Sequence, residues 1–300
     1  MSLKLGSSFA RINAGSSSVK RMFRGASGIW NADAADWIKR VEANGGGVST
    51  STAGAVTAFC NAIDAAGIRD RFHRLNLFCG NSDTSLNAVR TPLYRGQSLS
   101  GTQYGNALDA NNNFVPEDYA ETGANGGLIG NTTTKYLNTG LTPDALPSVA
   151  TCHLAFWTRG GSVAGVRRPL GTEATTLAQR FFIDRRPVAS GGDVTYIGSS
   201  ANGNGTDDAT PGLFAGSRVS ATDLRFYRDG MQSGLTQTAS STMTAHDKPF
   251  FVFAGNGNGS PGNYYERRLA AYSIGDGMTA AQILLYYNAL NSFMEALSRT

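Results

Sequence analysis

Cysteine is scarce: Cys60, Cys79 and Cys152 are the only three in 300 residues. An odd, scattered set gives no disulfide framework, and no C-x-x-C pair is present to hold zinc. They read as small buried hydrophobes in a chain that folds in a reducing cytoplasm. Histidine is equally sparse. His73, His153 and His246 stand far apart and none lies in H-E-x-x-H, so no metal or nucleophilic centre is expected. No G-x-S-x-G elbow occurs. No apolar run approaches the roughly 18 residues of a membrane span, and the first residues lack the apolar stretch of a secretory signal. Charged side chains make up only 16 % of the chain, whereas 37 residues are Gly. That pairing points to many tight turns, not to helix bundles. The 15 Phe, 11 Tyr and 3 Trp supply core material and argue against disorder.

The charge is unevenly placed. Lys4, Arg11, Lys20, Arg21 and Arg24 fall within residues 1–31, which carry no acid. With 26 basic and 22 acidic residues in all, the rest of the chain holds 21 and 22, close to neutrality. A basic arm docking on an acidic protein surface explains this better than nucleic-acid binding by the whole domain. The arm also repeats: Ile12-x-x-Gly15-x-x-x-Val19 is followed by Met22-x-x-Gly25-x-x-x-Ile29, with a weaker copy at Leu3, Gly6 and Ala10. Each unit reads as two short strands around a Gly-permitted turn. Such hairpins cannot bury a core alone and need an external partner. The run from Arg24 through Gly25 and Ile29 to Trp30 resembles the Gly-punctuated basic leaders of bacteriophage and prophage virion proteins.

Residues 33–78 read as helical. Asp33 is the expected cap of a helix carrying Trp37, Ile38 and Val41, which Asn44 and Gly45 end. A second helix carries Val56, Phe59, Cys60 and Ile63 on one stripe and stops at Gly67; Ile68, Phe72 and Leu75 read as a further short turn. The segments Asp36–Gly46, Ala65–Ile68 and Leu75–Gly80 are similar to a helical leader that precedes a concanavalin A-like sandwich in phage proteins.

From about residue 90 the texture changes to short apolar or alternating runs between Gly, Asn, Asp and Thr clusters. Cys152–Trp157, Gln179–Ile183, Val194–Ile197, Asp223–Tyr227 and Pro249–Phe253 are examples. Their spacing predicts an antiparallel sandwich or barrel. Asp229-Gly230 predicts a hairpin after Leu224–Tyr227, and Leu269–Gly275 a further strand. Thr279-x-x-Gln282 is a capping box opening a helix with Ile283, Leu284, Tyr287, Leu290 and Met294. This order, with Gly127–Gly140 upstream, resembles the laminin-G-like and pentraxin-like members of the concanavalin A-like jelly rolls over residues 125–295. The expected fold class is therefore mainly β: a basic repeat arm at 1–31, a helical leader at 32–89, and a jelly-roll sandwich with its closing C-terminal helix at 90–300.

The chemistry-bearing patterns are thin. Jelly-roll glycanases carry E-x-D-x-x-E on one strand, so that alternate carboxylates share a cleft. This chain has no such run; Glu117-Asp118 and Asp207-Asp208 are adjacent and would face opposite ways. Gly257-x-Gly259-x-x-Gly262 lacks the following helix a pyrophosphate needs and reads as a loop. Asp109, Asn111 and Asn113 begin like a calcium loop, but Phe114 and Ala120 break the pattern. Two polar loops remain as candidates for contacting a glycan: Asn202, Asn204, Asp207 and Asp208, and Asn256, Asn258, Tyr264 and Tyr265. The first loop reads more readily as a plain polar hairpin and the second has the same ambiguity, while Tyr264 and Tyr265 serve a sandwich core or an oligomer interface as readily as a sugar. No cofactor is expected; calcium has only the oxygen-rich loops in its favour.

The expectation is a non-enzymatic virion structural protein of the spike, fibre or decoration type, assembled in the host cytoplasm. Its attachment residues are Ile12, Gly15, Val19, Met22, Gly25, Ile29 and Trp30. Its expected partners are other virion proteins, copies of itself and a host-surface glycan, with no membrane and no nucleic acid. Two alternatives stay open: a glycan-degrading enzyme of the jelly-roll glucanase type, and a free carbohydrate-binding lectin.

Overall fold

The structure, a computed structural model, describes residues 30–81, 85–203, 206 and 209–300. The chain divides into two units, 1–30 and 31–300, of which the second is described here. Among the described residues, the elements run in chain order as follows. Helices α1 (Ala32–Ala43) and α2 (Thr50–Ala65) precede strand β1 (Phe72–Asn76) and a single turn, α3 (Asn87–Arg90). Then come β2 (Ala110–Asn112), β3 (Tyr119–Ala120), β4 (Gly127–Ile129), β5 (Tyr136–Asn138), β6 (Cys152–Thr158) and β7 (Arg167–Glu173). They are followed by β8 (Arg180–Arg185), β9 (Val194–Ile197), β10 (Ser200–Gly203), β11 (Gly212–Ser220), β12 (Asp223–Arg228) and β13 (Met231–Gln232). The last elements are β14 (Phe251–Val252), β15 (Gly255–Gly257), β16 (Ser260–Gly262), β17 (Arg268–Gly275) and α4 (Ala280–Ala296).

The strands form two sheets. One has eight strands in the order β13-β12-β11-β6-β17-β4-β3, with β1 also paired to β17. The other has nine, in the order β10-β9-β8-β7-β14-β5-β2, with the β15/β16 hairpin attached beside β7. Pairing is antiparallel except where β15 runs parallel to β7. Alternation sends Leu154 and Phe156 of β6, Phe214 of β11, and Tyr272 and Ile274 of β17 into the same apolar core as Leu170, Phe181, Ile183 and Ile197 of the other sheet. The inner faces of the two sheets therefore share one core. Phe156 and Phe214 stack at 5.4 Å in it, and the guanidinium of Arg185 crosses from β8 to lie 4.3 Å from the Phe214 ring. The turn at Asp229-Gly230 is a two-residue hairpin in which both residues have positive φ, 49° and 79°, and Arg228 pairs with Met231. That is the backbone an Asp-Gly pair favours.

The outer face of the eight-stranded sheet is covered. Its central strands present Ala155, Ala271, Ser273 and Gly275 outward, all buried and all small, so a helix can approach closely. Helix α4 does so, with Tyr287 stacked on Trp157 at 6.0 Å and Tyr286 edge-on to Phe72 at 5.0 Å. Helix α2 packs on α4 through Phe59 and Phe293. The capping box at Thr279 and Gln282 is formed.

Three local expectations need correction. The α1 cap is Asn31, whose side chain accepts from the Asp33 amide; Asp33 instead takes Arg69 in a 2.7 Å ion pair. Phe72–Asn76 is a strand and not a turn, because β17 offers it an antiparallel edge. Helix α4 is rolled relative to the expected stripe: Tyr286, Ala289 and Phe293 are buried with Ile283, Leu290 and Met294, while Leu284 stays 39 % exposed.

Candidate functional site

The described members of the sequence-derived glycan set are not brought together. Asn204, Asp207 and Asp208 lie outside the described residues, as do Ile12, Gly15, Val19, Met22, Gly25 and Ile29 of the arm; Trp30 is described and precedes α1. Asn202 pairs with Thr195 and points inward, donating to the carbonyls of Leu224 and Leu235 at 2.6 Å. Asn256 is fully buried; its amide donates to the Pro249 carbonyl and its oxygen accepts from the Gly259 amide. Tyr265 is a correction: its ring is in the core, and its hydroxyl shares a hydrogen bond with Thr158, closed off from any sugar. Asn258 is exposed at the β15/β16 turn, and Tyr264 is half-buried against Tyr136. Four strand steps separate β10 from β15, a span of about 19 Å. Asn202 on β10 and Asn256 on β15 are therefore not brought together.

Buried polar clusters elsewhere serve the fold. Asp109, the first residue of the failed calcium pattern, is sealed in and takes Arg74 at 2.6 Å, Asn76 at 2.9 Å and the Tyr272 hydroxyl at 2.8 Å. Ser273, His153 and Asp276 have the residue types of a nucleophile triad, but Ser273 is fully buried. His153 Nδ1 meets the main-chain oxygen of Asp276, and Nε2 lies 3.0 Å from Ser273 Oγ. The Asp276 carboxylate is taken by His73 and Gln97. Since a carbonyl only accepts, Nδ1 of His153 carries the proton and Nε2 accepts from Ser273. Burial pushes this imidazole down to about 4. Burial likewise pushes Cys60 and Cys152 up to about 12 and Cys79 well above the thiol range, so none is a ready nucleophile. Among the described residues no group of three His, Cys, Asp or Glu could hold a metal ion, and no helix is long and apolar enough to cross a membrane. A groove of about 380 Å³ between α2 and α4 is lined mainly by Ala62, Ala65, Ala66, Leu285 and Ala289 and has no charged group.

The outer face of the nine-stranded sheet is different. A β-bulge between Arg167 and Leu170 shifts the register of β7 against β8. Regular alternation would put Arg168 on the core side with Leu170; the bulge turns it outward. Its guanidinium lies 3.3 Å from the ring centre of Phe182. Gly171, opposite Phe182, leaves the room: a Cβ there would come within 2.1 Å of Phe182 Cβ. Arg168 donates to Asp184 at 2.7 Å and to Glu173 at 2.7 Å. Burial works against its charge, but these two carboxylates outweigh it and hold Arg168 above the usual guanidinium range. Asp184 also accepts from Arg186 at 2.7 Å.

Beside this saturated cluster, Tyr196 of β9 pairs with Phe182 in the ladder, their rings 4.8 Å apart. Tyr196 is half-buried. Two guanidinia flank its ring, Arg180 at 5.4 Å and Arg186 at 5.6 Å. Arg180, on a side chain 32 % exposed, makes only a 3.7 Å ion pair with Glu173. Arg186 keeps a buried Nε without a hydrogen-bond partner. The arrangement places a half-buried phenol ring beside the partly exposed guanidinium side chains of Arg180 and Arg186. Sequence reasoning missed it because the face is assembled from β7, β8 and β9, and because Arg168 reaches it only through the bulge.

No protein-family model matches the chain, and no curated protein matches it. Among solved structures, it is similar to Trypanosoma rangeli sialidase bound to the inhibitor DANA, at 14 % identity and TM-score 0.44, over 71 % of this chain and 32 % of that one. A mutant of Trypanosoma rangeli sialidase displaying trans-sialidase activity matches at 10 % identity and TM-score 0.43, over 79 % and 39 %. The NanB sialidase of Streptococcus pneumoniae matches at 12 % identity and TM-score 0.37, over 51 % and 26 %. The chain thus spans well under half the length of these solved chains, and similarity at this level carries no argument about what it does.

Proposed function

We propose that the chain is a non-enzymatic structural component of a bacteriophage or prophage virion, of the spike, fibre or decoration type. In this reading residues 31–300 are a concanavalin A-like jelly-roll sandwich that adheres to host-surface glycan. Residues 1–31 attach it to other virion proteins, in an assembly containing further copies of the chain. Two antiparallel sheets sharing one core and a capped C-terminal helix support the jelly-roll reading. The observation that carries adhesion is the outer face of the nine-stranded sheet, where the half-buried Tyr196 lies beside two partly exposed arginines. Aromatic faces flanked by hydrogen-bond donors suit sugar rings, which present apolar C–H faces and polar edges.

One observation favours a second reading, a glycan hydrolase of the same fold: Glu173 and Asp184 approach the same side of adjacent strands. Both, however, accept from Arg168. A carboxylate held by a buried guanidinium is not presented to a glycosidic oxygen. The test has two arms. Deleting residues 1–31 should leave a folded protein that no longer enters particles; incorporation at the full-length level would move attachment elsewhere. Purified protein should bind host-surface polysaccharide without shortening it, and steady depolymerisation would establish the hydrolase instead.

A further inference from the structure

Resting on the reading that the sandwich binds glycan, we infer that its ligand is acidic, a glycan bearing carboxylate or sulfate groups, held on the outer face of the nine-stranded sheet by Tyr196, Arg180 and Arg186. Charge comes first. Arg168, Arg180 and Arg186 face Glu173 and Asp184, three guanidinia against two carboxylates. Asp184 is already shared by two arginines, and Glu173 takes Arg168 at hydrogen-bond distance, leaving Arg180 at 3.7 Å. The uncompensated cation is therefore at Arg180, the most exposed of the three.

Donor geometry comes second. The guanidinium of Arg180 makes no hydrogen bond among the described residues. A guanidinium presents a planar fork that matches the two oxygens of a carboxylate or sulfate. Arg186, anchored on Asp184, has a side chain 22 % exposed beside the same ring. A pyranose stacked on Tyr196 would place an anionic substituent within reach of one or both. A neutral glycan would gain the stacking but leave Arg180 without an acceptor.

Rigidity comes third. The floor under the site is fixed, because Phe182 is held between Arg168 and Tyr196. Ordering the ligand therefore requires no rearrangement of the platform, and its cost falls on the Arg180 side chain.

The experiment uses the full chain on an array containing neutral, carboxylated and sulfated polysaccharides, with Arg180→Gln and Tyr196→Ala beside the wild type. Binding is expected on acidic members and should weaken as salt rises. Loss of one charged hydrogen-bond partner should reduce the affinity of Arg180→Gln by about tenfold or more, with unchanged thermal melting. Tyr196→Ala should lose binding to every bound member. The carboxylated and sulfated arms decide which anion is taken. Wild-type binding to neutral members as strong as to acidic ones, or Arg180→Gln binding acidic members undiminished, overturns the inference while leaving glycan adhesion standing. Binding to no member overturns adhesion and the inference together.

Discussion

The two sheets share a core but treat their outer faces in opposite ways. The eight-stranded sheet turns Ala155, Ala271, Ser273 and Gly275 outward and receives a helix. The nine-stranded sheet turns Phe182, Tyr196, Arg168, Arg180, Asp184 and Arg186 outward and is left with a polar, aromatic surface. Small side chains let a helix close in and exclude water. Large amphipathic ones cover their own sheet: the guanidinium of Arg168 lies buried over Phe182, while Arg180 and Arg186 are partly exposed beside Tyr196. One face is thus sealed by a helix, and the other is covered by its own side chains and is the face proposed to bind.

The sharpest way to break this comparison is to substitute both faces. Trp157→Ala, beneath α4, removes a ring only 3 % exposed and should cost about 3–5 kcal/mol, measured by chemical denaturation. A loss below about 1 kcal/mol would show that the helix does not seal that face.

Acid tests the covered face a second way. His153 is neutral in the folded protein, with a pKa near 4, against about 6.5 when unfolded. The unfolded state binds the proton first, so stability is complete above about pH 6.5 and declines as pH falls toward 4. The loss should approach about 3 kcal/mol. A His153→Gln variant should lack that segment of the pH–stability curve; an unchanged curve would place the acid sensitivity elsewhere.

The open face is expected to be milder. Arg168→Met leaves Glu173 without its closest partner while Asp184 keeps Arg186, and should cost about 2 kcal/mol. Smallest of all, Arg180→Gln should stay within about 0.5 kcal/mol of the wild type. Should Arg180→Gln destabilise as much as Trp157→Ala, the division between a stabilising face and the face proposed to bind would be lost.

Much of the architecture was legible wherever the signal was local. The Asp229-Gly230 hairpin, the capping box at Thr279 and the apolar stripe of Val56, Phe59, Cys60 and Ile63 depend on neighbours within a few residues, and all three form. The misreadings have non-local causes. Phe72–Asn76 becomes a strand only because β17 lies beside it. Leu284 and Tyr286 exchange roles because the small outer residues of β17 set the roll of α4. Tyr265 looked like a loop aromatic, yet Thr158 and the core claim it. The candidate site was the least legible, since an extra residue in β7 reverses which way Arg168 points. No periodicity in the sequence marks a bulge whose register is fixed by a partner strand.

The pairing of β1 with β17 also sets a clock on synthesis. Arg74 and Tyr272, which meet on Asp109, are separated by 198 positions. At about 5–20 residues per second, the ribosome needs about 10–40 s to deliver the second after the first. Throughout that interval the strand at Phe72–Asn76 has no β17 to pair with, and Arg74 and Asp109 have no enclosing core. The body can therefore reach its final state only after β17 has been made. A nascent chain stalled before β17 should remain protease-sensitive at β1, however well the sheet between them has formed.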